Sequence, residues 1–201
     1  MSTVPVNADR ERRIPLRQGI LDKPLIKPKS DVSLSSFAFL FSEIVQYNQN
    51  RVSSITDLER KLEAAGFGIG LRVIELITAR DRQTKRETRL VNMLQFICNV
   101  VWKYLFNKAA DNLERSTENE DEYMIHEHSP LTNAFISVPT DLGQLNCAAL
   151  LAGIIAGILD SARFSSRVTA HLVPTGDPGV ERTVFLVKFS AEVMSRERKL
   201  G

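Results

Sequence analysis

The feature that most constrains this chain is an uninterrupted apolar run from Cys147 to Leu159. Its 13 residues fall short of the roughly 20 that a membrane-spanning helix needs, so we expect a helix buried inside a globular protein. Ala149, Gly153 and Gly157 recur every four residues and therefore share one helical face. Small residues at this spacing let another element approach closely, which in water indicates tight core packing.

Composition narrows the class of protein further. The chain has 201 residues, of which 43% are hydrophobic and 25% charged, so it is neither a disordered chain, a coiled-coil rod nor a collagen-like fibre. Its net charge of +2 argues against a nucleic-acid partner. Cys98 and Cys147 lie in apolar stretches, which indicates packing roles in a reducing compartment. We expect no secretory signal, because residues 1–31 lack an apolar core segment.

Residues 1–31 differ in composition from the remainder. They contain four of the eight prolines and carry seven basic against four acidic residues. The basic residues are Arg10, Arg12, Arg13, Arg17, Lys23, Lys27 and Lys29. We therefore expect an extended, basic, proline-rich arm over residues 1–31, followed by one α+β domain over residues 32–201. The arm either contacts anionic lipid or an acidic protein patch, or only solvates the chain, and its Ile20, Leu21, Leu25 and Ile26 are candidates for pinning it to a surface.

Helical patterns dominate the first half of the chain. A helix capped by one of the serines at 33, 35 and 36 runs to about Gln49. Its apolar face comprises Leu34, Phe37, Leu40, Phe41, Ile44 and Val45, with Phe39 on the opposite side. A second helix begins near Thr56 with a capping box, and we expect Gly66, Gly68 and Gly70 to interrupt it before a third helix through Ile77. Residues 87–107 predict a deeply buried helix, because its polar residues form one narrow stripe.

The second half of the chain alternates strands with the apolar helix. Tyr123–Glu127 and Phe135–Val138 are predicted as short strands, and Arg167–Val173 with Thr183–Phe189 as a hairpin around the loop at 175–181. Helices followed by such strands predict an α+β fold in which a helical layer packs on an antiparallel sheet.

No motif predicts a reaction. The glycines at 66, 68 and 70 are like a phosphate-binding turn but follow a helix instead of a strand, so a structural role is favoured. His126 and His128 point the same way from one strand, and a metal would need a third ligand such as His171, so a solvated pair on an edge strand is the preferred interpretation. No nucleophile motif is present, and we expect neither catalytic residues nor a cofactor.

Phe39 is the most informative side chain for function. Burying a phenylalanine is favourable by roughly 1.5–3 kcal/mol. Here it makes the first helix apolar on two sides, which indicates a helix held between its own core and a partner subunit. Contact within the chain is the alternative that the sequence leaves open.

Several segments together resemble a known family. The stretch 66–75, with its glycines, Arg72 and Glu75, resembles the glycine–arginine–glutamate signature of the TRAPP small-subunit family. The resemblance continues through Arg86-Glu87-Thr88, Trp102–Phe106, Ala110–Glu114, Pro130-Leu131, Ile136–Pro139, Leu145–Ala148, Ala152–Ile154 and Val168–His171, and includes Ile20–Leu25 and Val32–Leu34. Each piece is short, but their order over more than 150 residues makes the match specific.

The resemblance implies a fold, partners and a location. It implies the small-subunit plait and pairing of the first helices with a sister subunit of the acyl-channel type, with a further contact to the longin-type sedlin subunit. It also implies membership in a cytosolic tether that lies peripherally on cis-Golgi and endoplasmic reticulum membranes. That complex serves a Rab GTPase as nucleotide exchange factor in ER-to-Golgi transport, with the exchange residues mainly in other subunits. The connector at 81–85 carries no cysteine, which excludes a covalent acyl chain there.

We therefore predict a non-catalytic, structural subunit. The residues expected in the core and interface of the first helices are Phe37, Phe39, Phe41, Ile44, Val45, Leu58, Leu62, Ile69, Val73 and Ile77. The first alternative is a sensor or enzyme that holds an apolar small molecule, for which a cavity along the helix at 87–107 would be evidence. The second alternative is a peripheral membrane adaptor that acts through the basic arm.

Overall fold

The computed structural model describes residues 32–80, 86–138, 143, 145–175 and 181–200. The described elements are α1 (Leu34–Gln49), α2 (Ile55–Arg80), α3 (Leu90–Phe96, a π-helical turn over Ile97–Val101, and Trp102–Phe106), β1 (Asn112–Arg115), β2 (Glu122–Glu127), α4 (Ala149–Ser161), β3 (Ser166–Pro174), β4 (Glu181–Phe189) and α5 (Ala191–Leu200). The predicted arm and its seven basic residues lie outside the described residues, as does the connector at 81–85.

The strands form one antiparallel sheet in the order β1-β2-β4-β3. The predicted hairpin is confirmed, since β3 pairs with β4 from Ser166 opposite Phe189 to Pro174 opposite Glu181. Alternate residues of β2 and β4 enter the main hydrophobic core, among them Tyr123, Ile125, Phe185 and Val187. The other residues of this core come mainly from the helices, so a helical layer covers one face of the sheet and the α+β prediction is confirmed.

The predicted break in the second helix is wrong, because α2 runs without interruption from Ile55 to Arg80. Gly66 and Gly70 form no turn; they allow the backbone of α4 to approach α2 closely. A Cβ atom added to Gly66 would lie 2.0 Å from the carbonyl oxygen of Leu150, and one added to Gly153 would lie 2.0 Å from that of Glu63. The two backbones therefore touch at this crossing, and the predicted tight packing of the small residues on the apolar helix is confirmed.

The start of α2 is capped differently from the predicted box at Thr56. The Ser54 Oγ accepts a hydrogen bond from the Asp57 backbone N–H at 3.1 Å, and the hydroxyl donates to the Asp57 carboxylate at 2.8 Å. The cap lies two residues earlier than predicted, and the Ser54 hydroxyl satisfies one unpaired backbone N–H of the first turn, that of Asp57.

The helix predicted over residues 87–107 is confirmed as a buried element, although it begins at Leu90. Leu90, Leu94, Ile97 and Val101 are fully buried, and the polar stripe faces outward. The π-helical turn changes the backbone hydrogen bonding in its middle. The Cys98 carbonyl accepts a hydrogen bond from the Ala110 N–H at 3.0 Å, which ties the turn to the segment that leads into β1.

Two further predictions need correction. Phe135–Val138 is no strand, since residues 131–135 form turns and residues 136–138 have no regular structure. Its alternation arises because Ile136 and Val138 pack against the second hydrophobic cluster while Phe135 is exposed. The helix α5 and strand β1 were not predicted as elements, because their apolar content is low. No helix in the described ranges has the length and hydropathy that crossing a membrane requires.

Candidate partner interface

The first helix rests on its neighbours through a narrow buried side. Phe41 and Val45 are buried in a second hydrophobic cluster with Leu58 and Leu62 of α2 and with residues at the start of α4. Phe37 and Ile44 are half-buried at the edge of this cluster. Because α1 meets the body only along this side, most of its surface is left to solvent or to another chain.

The exposed surface of α1 is unusually apolar. Phe39 is 78% exposed, Leu40 is 62% exposed, Tyr47 is 54% exposed and Leu34 is 49% exposed. Leu34 and Leu40 belong to the face predicted to be buried, so that part of the prediction is wrong: α2 and the start of α4 cover a narrower stripe than the helical pattern indicates. Single exposed apolar residues are common, whereas four on one 16-residue helix form an unusually apolar surface.

The other residues predicted for the core and interface of the first helices differ in how far they are buried. Leu58, Leu62, Val73 and Ile77 are buried within the chain, so they stabilise the fold and offer no surface to a partner. Ile69 on α2 is 38% exposed. Among the residues predicted for core and interface, Phe39 and Ile69 are therefore the two that are exposed. They lie on different helices, Phe39 on α1 and Ile69 on α2.

Leu40 and Tyr47 are exposed, although the sequence pattern did not predict them as surface residues. At 100° per residue both lie about 60–80° to one side of Phe37, next to the buried stripe and away from Phe39. Tyr47 is held in place by Arg51, whose guanidinium carbon lies 3.5 Å from the ring centroid. Arg51 Nη1 also donates to the Tyr47 carbonyl at 2.8 Å. The cation over the ring keeps one face of Tyr47 covered.

The two thiols are chemically quiet. Burial raises the pKa of Cys98 to about 12. Burial, with the charge of Glu59 as a second cause, raises the pKa of Cys147 to about 11. Because the thiolate is the reactive form, both side chains act as small apolar groups near neutral pH.

The predicted histidine pair is arranged differently in the structure. The strand β2 is central in the sheet and not at its edge, and His126 is buried on it with Nε2 3.3 Å from Glu114 Oε2. His128 follows the strand and is exposed, with its Nδ1 and backbone N–H both on Asp111 Oδ2, at 2.8 and 2.6 Å. Across the described ranges, no three His, Cys, Asp or Glu side chains are grouped to hold a metal.

A buried carboxylate links α3 to the sheet. Glu127 is fully buried, accepts a hydrogen bond from Trp102 Nε1 at 3.0 Å and pairs with the ammonium group of Lys108. The two contacts give both carboxylate oxygens a partner, which a buried polar group requires. Glu127 therefore has a structural role, because it joins Trp102 of α3 and Lys108 to the end of β2.

A cleft of about 450 Å³ lies where α2, α3 and the end of α4 meet. Its lining includes Ile74, Met93 and Phe96 on the apolar side and Glu75, Arg86 and Glu87 on the polar side. The α3 residues in the lining, Met93 and Phe96, lie in the first part of that helix, so the cleft borders its N-terminal end.

The fold and this surface define a class of protein: a two-layer α+β protein whose first helix exposes an apolar surface. A family model described as "Transport protein particle (TRAPP) component" matches residues 37–190. The chain belongs to this family, as its sequence resemblance predicted.

Individual relatives of the chain are named as subunits of the same complex. The chain is 49% identical over 196 residues to "Trafficking protein particle complex subunit 5" of Dictyostelium discoideum, covering 98% of this chain and 99% of that one. It is 39% identical over 184 residues to the human protein of that name, covering 92% and 94%. A solved subunit 3 from Naegleria fowleri, described as covalently bound to palmitic acid, superimposes with a TM-score of 0.65 at 18% identity over 78% of this chain and 95% of that one. This last match supports the fold alone.

Proposed function

We propose that this chain is a non-catalytic, structural subunit of a TRAPP complex, which joins the assembly by burying the exposed side of α1 against a sister small subunit. The exposure of Phe39, at 78%, is the observation that carries the proposal. A stable subunit contact removes roughly 800 Å² or more per partner from water, and a 16-residue helix with four exposed apolar side chains suits its centre.

The family supports the wider role. Relatives are named as trafficking complex subunits, so we infer that the chain supports the exchange activity of such a complex toward a Rab GTPase in ER-to-Golgi transport. The sister subunit is of the acyl-channel type, a sedlin-type subunit is a second neighbour, and the exchange residues lie mainly in other subunits. The site of action is the cytosolic surface of cis-Golgi and endoplasmic reticulum membranes.

Replacing Phe39 with Asp tests the pairing. Phe39→Asp places a charge in the proposed contact, so its yield in co-purification with the sister subunit should fall at least about tenfold, the equivalent of roughly 1.4 kcal/mol. The variant should keep the wild-type unfolding midpoint, because Phe39 makes no core contact. Val91→Asp is the matched control: it exchanges another exposed apolar residue for a charge in the first turn of α3, where an acidic group is tolerated. Normal recovery of the partner with Phe39→Asp would remove α1 from the interface.

The basic arm supports a peripheral membrane contact. Its seven basic residues would each contribute on the order of 1 kcal/mol at an anionic surface. In flotation with anionic vesicles, the chain without residues 1–31 should bind less than the whole chain. Equal binding by the two forms would exclude the arm.

The cleft favours a second candidate function, the binding of a small amphipathic molecule. Its volume of about 450 Å³ lies in the range of ligand sites, and it borders the predicted helix. Native mass spectrometry of the purified chain should then show a bound molecule, which a Phe96→Asp variant releases. Detection of the bare chain mass alone would exclude this candidate.

A further inference from the structure

An apolar strip continues along α2 beyond the region that α1 covers. At 100° per residue, Leu58, Leu62, Ile69 and Leu76 fall within about 40° of one another on α2. The first two are buried beneath α1, Ile69 is 38% exposed, and Leu76 is half-buried. Within the part of the chain that the structure describes, Leu76 belongs to neither hydrophobic cluster. We call Ile69 and Leu76 the α2 flank.

The N-terminus of α1 lies at one end of this flank. Residues 50–54 join α1 to α2, and so short a connection makes the two helices antiparallel neighbours. Phe41 and Val45 pack in one cluster with Leu62 and Leu58, so each step back along α1 matches one step forward along α2. Leu34 is then level with Ile69, and the chain that precedes it arrives at the flank.

The other end of the flank is closed by α3. Arg80, the last residue of α2, donates through Nη1 to the Tyr104 hydroxyl, and its guanidinium carbon lies 6.0 Å from the ring centroid. Tyr104 is 41% exposed and therefore presents an apolar ring edge beside the end of the flank. An apolar path thus leads from Leu34 over Ile69 and Leu76 to Tyr104.

We propose that residues 20–31 of the chain's own arm dock on the α2 flank in an extended conformation. Ile69 and Arg80 are about 16 Å apart along α2 at 1.5 Å per residue. An extended segment with prolines advances about 3.1 Å per residue, so five or six residues before Val32 cover this distance. Pro28 then lies near Leu76, and Leu25 and Ile26 reach Tyr104. The two prolines, at 24 and 28, favour this conformation and lack a backbone donor that docking would leave unpaired.

The inference is independent of the proposed pairing. On α1 the direction of Phe39 differs from that of the buried residues facing α2 by more than about 100°. The docked arm therefore leaves the exposed side of Phe39 open to a partner. It also divides the arm, since only its basic residues at 10–17 remain beyond the docked segment.

Thiol crosslinking of the full-length chain tests the proposal. We place cysteines at Lys27→Cys and Ala79→Cys, which docking brings level, and treat the chain with a short bismaleimide at neutral pH. The matched control pairs Lys27→Cys with Ala64→Cys, an exposed alanine of the same helix about 22 Å further toward its start. The native thiols stay silent because burial raises the pKa of Cys98 to about 12 and, with Glu59, that of Cys147 to about 11.

Docking predicts an intramolecular crosslink for the Ala79→Cys pair in about tenfold excess over the control, because a docked segment has a higher effective concentration. Adding Leu25→Asp and Ile26→Asp should abolish this excess, whereas Val4→Asp and Val6→Asp should leave it unchanged. Equal yields from the two pairs, or an excess that survives the aspartates at 25 and 26, would overturn the proposal. Crosslinks that join two chains would overturn it in favour of a second copy on the flank.

Discussion

At the scale of single residues, the glycines carry the clearest division of roles. Gly66, Gly70, Gly153 and Gly157 allow α2 and α4 to touch backbone to backbone. Gly68 does not, since a Cβ atom there would meet only the end of the Arg72 side chain at 3.5 Å. Gly66 and Gly68 are only two residues apart, yet a side chain is excluded at the first and tolerated at the second. The repeated glycines in the sequence do not show this difference.

A matched pair of alanine variants measures this difference. Gly153→Ala should lower the free energy of unfolding by about 3 kcal/mol or more, because the methyl group would overlap the Glu63 carbonyl and the backbones must separate. Gly68→Ala should raise it by about 0.5–1 kcal/mol, since alanine is favoured within a helix. Urea unfolding of both variants checks the prediction. Similar losses for the two would show that the crossing is not where the packing is tight.

Asp111 predicts a contribution to acid stability. Burial opposes its ionisation, but hydrogen bonds from the His128 backbone and side chain, with the charges of Lys108 and His128, hold the pKa of Asp111 below its usual value. A lowered pKa contributes stability that is complete above the unfolded value and is lost as pH falls through the folded value. Wild type should therefore lose more stability than Asp111→Asn between about pH 6 and about pH 3.

The measurement is the urea midpoint at the two pH values. Glu118→Gln, in the exposed turn between β1 and β2, should behave as wild type does. Parallel curves for wild type and Asp111→Asn would show that the contact with His128 adds nothing to stability.

At the scale of elements, the hydrophobic pattern predicted those helices whose position depends only on burial in the core. Residues 147–159 and 87–107 were assigned correctly, because burial on nearly all sides leaves an unmistakable apolar run. The pattern failed at residues 66–70, where glycine packs a helix crossing that only the partner helix reveals. It also failed at Leu40, because the breadth of a buried stripe depends on which neighbours cover it.

The C-terminal helix shows the same limit. It is short and polar, and what fixes it is a contact with a residue over 100 positions earlier. Glu197 accepts from Arg89 Nε at 2.7 Å and from the Leu90 backbone N–H at 3.1 Å, so its carboxylate caps α3. A carboxylate at the start of a helix satisfies an unpaired donor and meets the positive end of the helix dipole.

Removing this cap should loosen both elements. Glu197→Ala is expected to cost about 1–2 kcal/mol of stability and to speed amide exchange in α5 and the first turn of α3. Ser195→Ala, at an exposed position of α5, should stay within about 0.5 kcal/mol of wild type. Hydrogen exchange followed by mass spectrometry reports both effects. Unchanged exchange in Glu197→Ala would mean that Val193 and Met194 alone hold α5.

At the scale of the whole molecule, the described residues form a folded body whose first helix leaves an apolar surface exposed. The exposed apolar side of α1 supports the proposed role in assembly, and both thiols are buried with raised pKa values. Phe39 was identifiable from sequence because it interrupts a polar face. Leu40 and Tyr47 were not, since only the placement of α1 on α2 shows which side of them is open.

Light scattering on the chain, alone and mixed with the proposed sister subunit of the acyl-channel type, tests whether the two proteins pair. Pairing predicts a one-to-one complex that forms at micromolar concentration and survives size-exclusion chromatography. Two proteins that elute separately at their own masses, whatever their ratio, would contradict it.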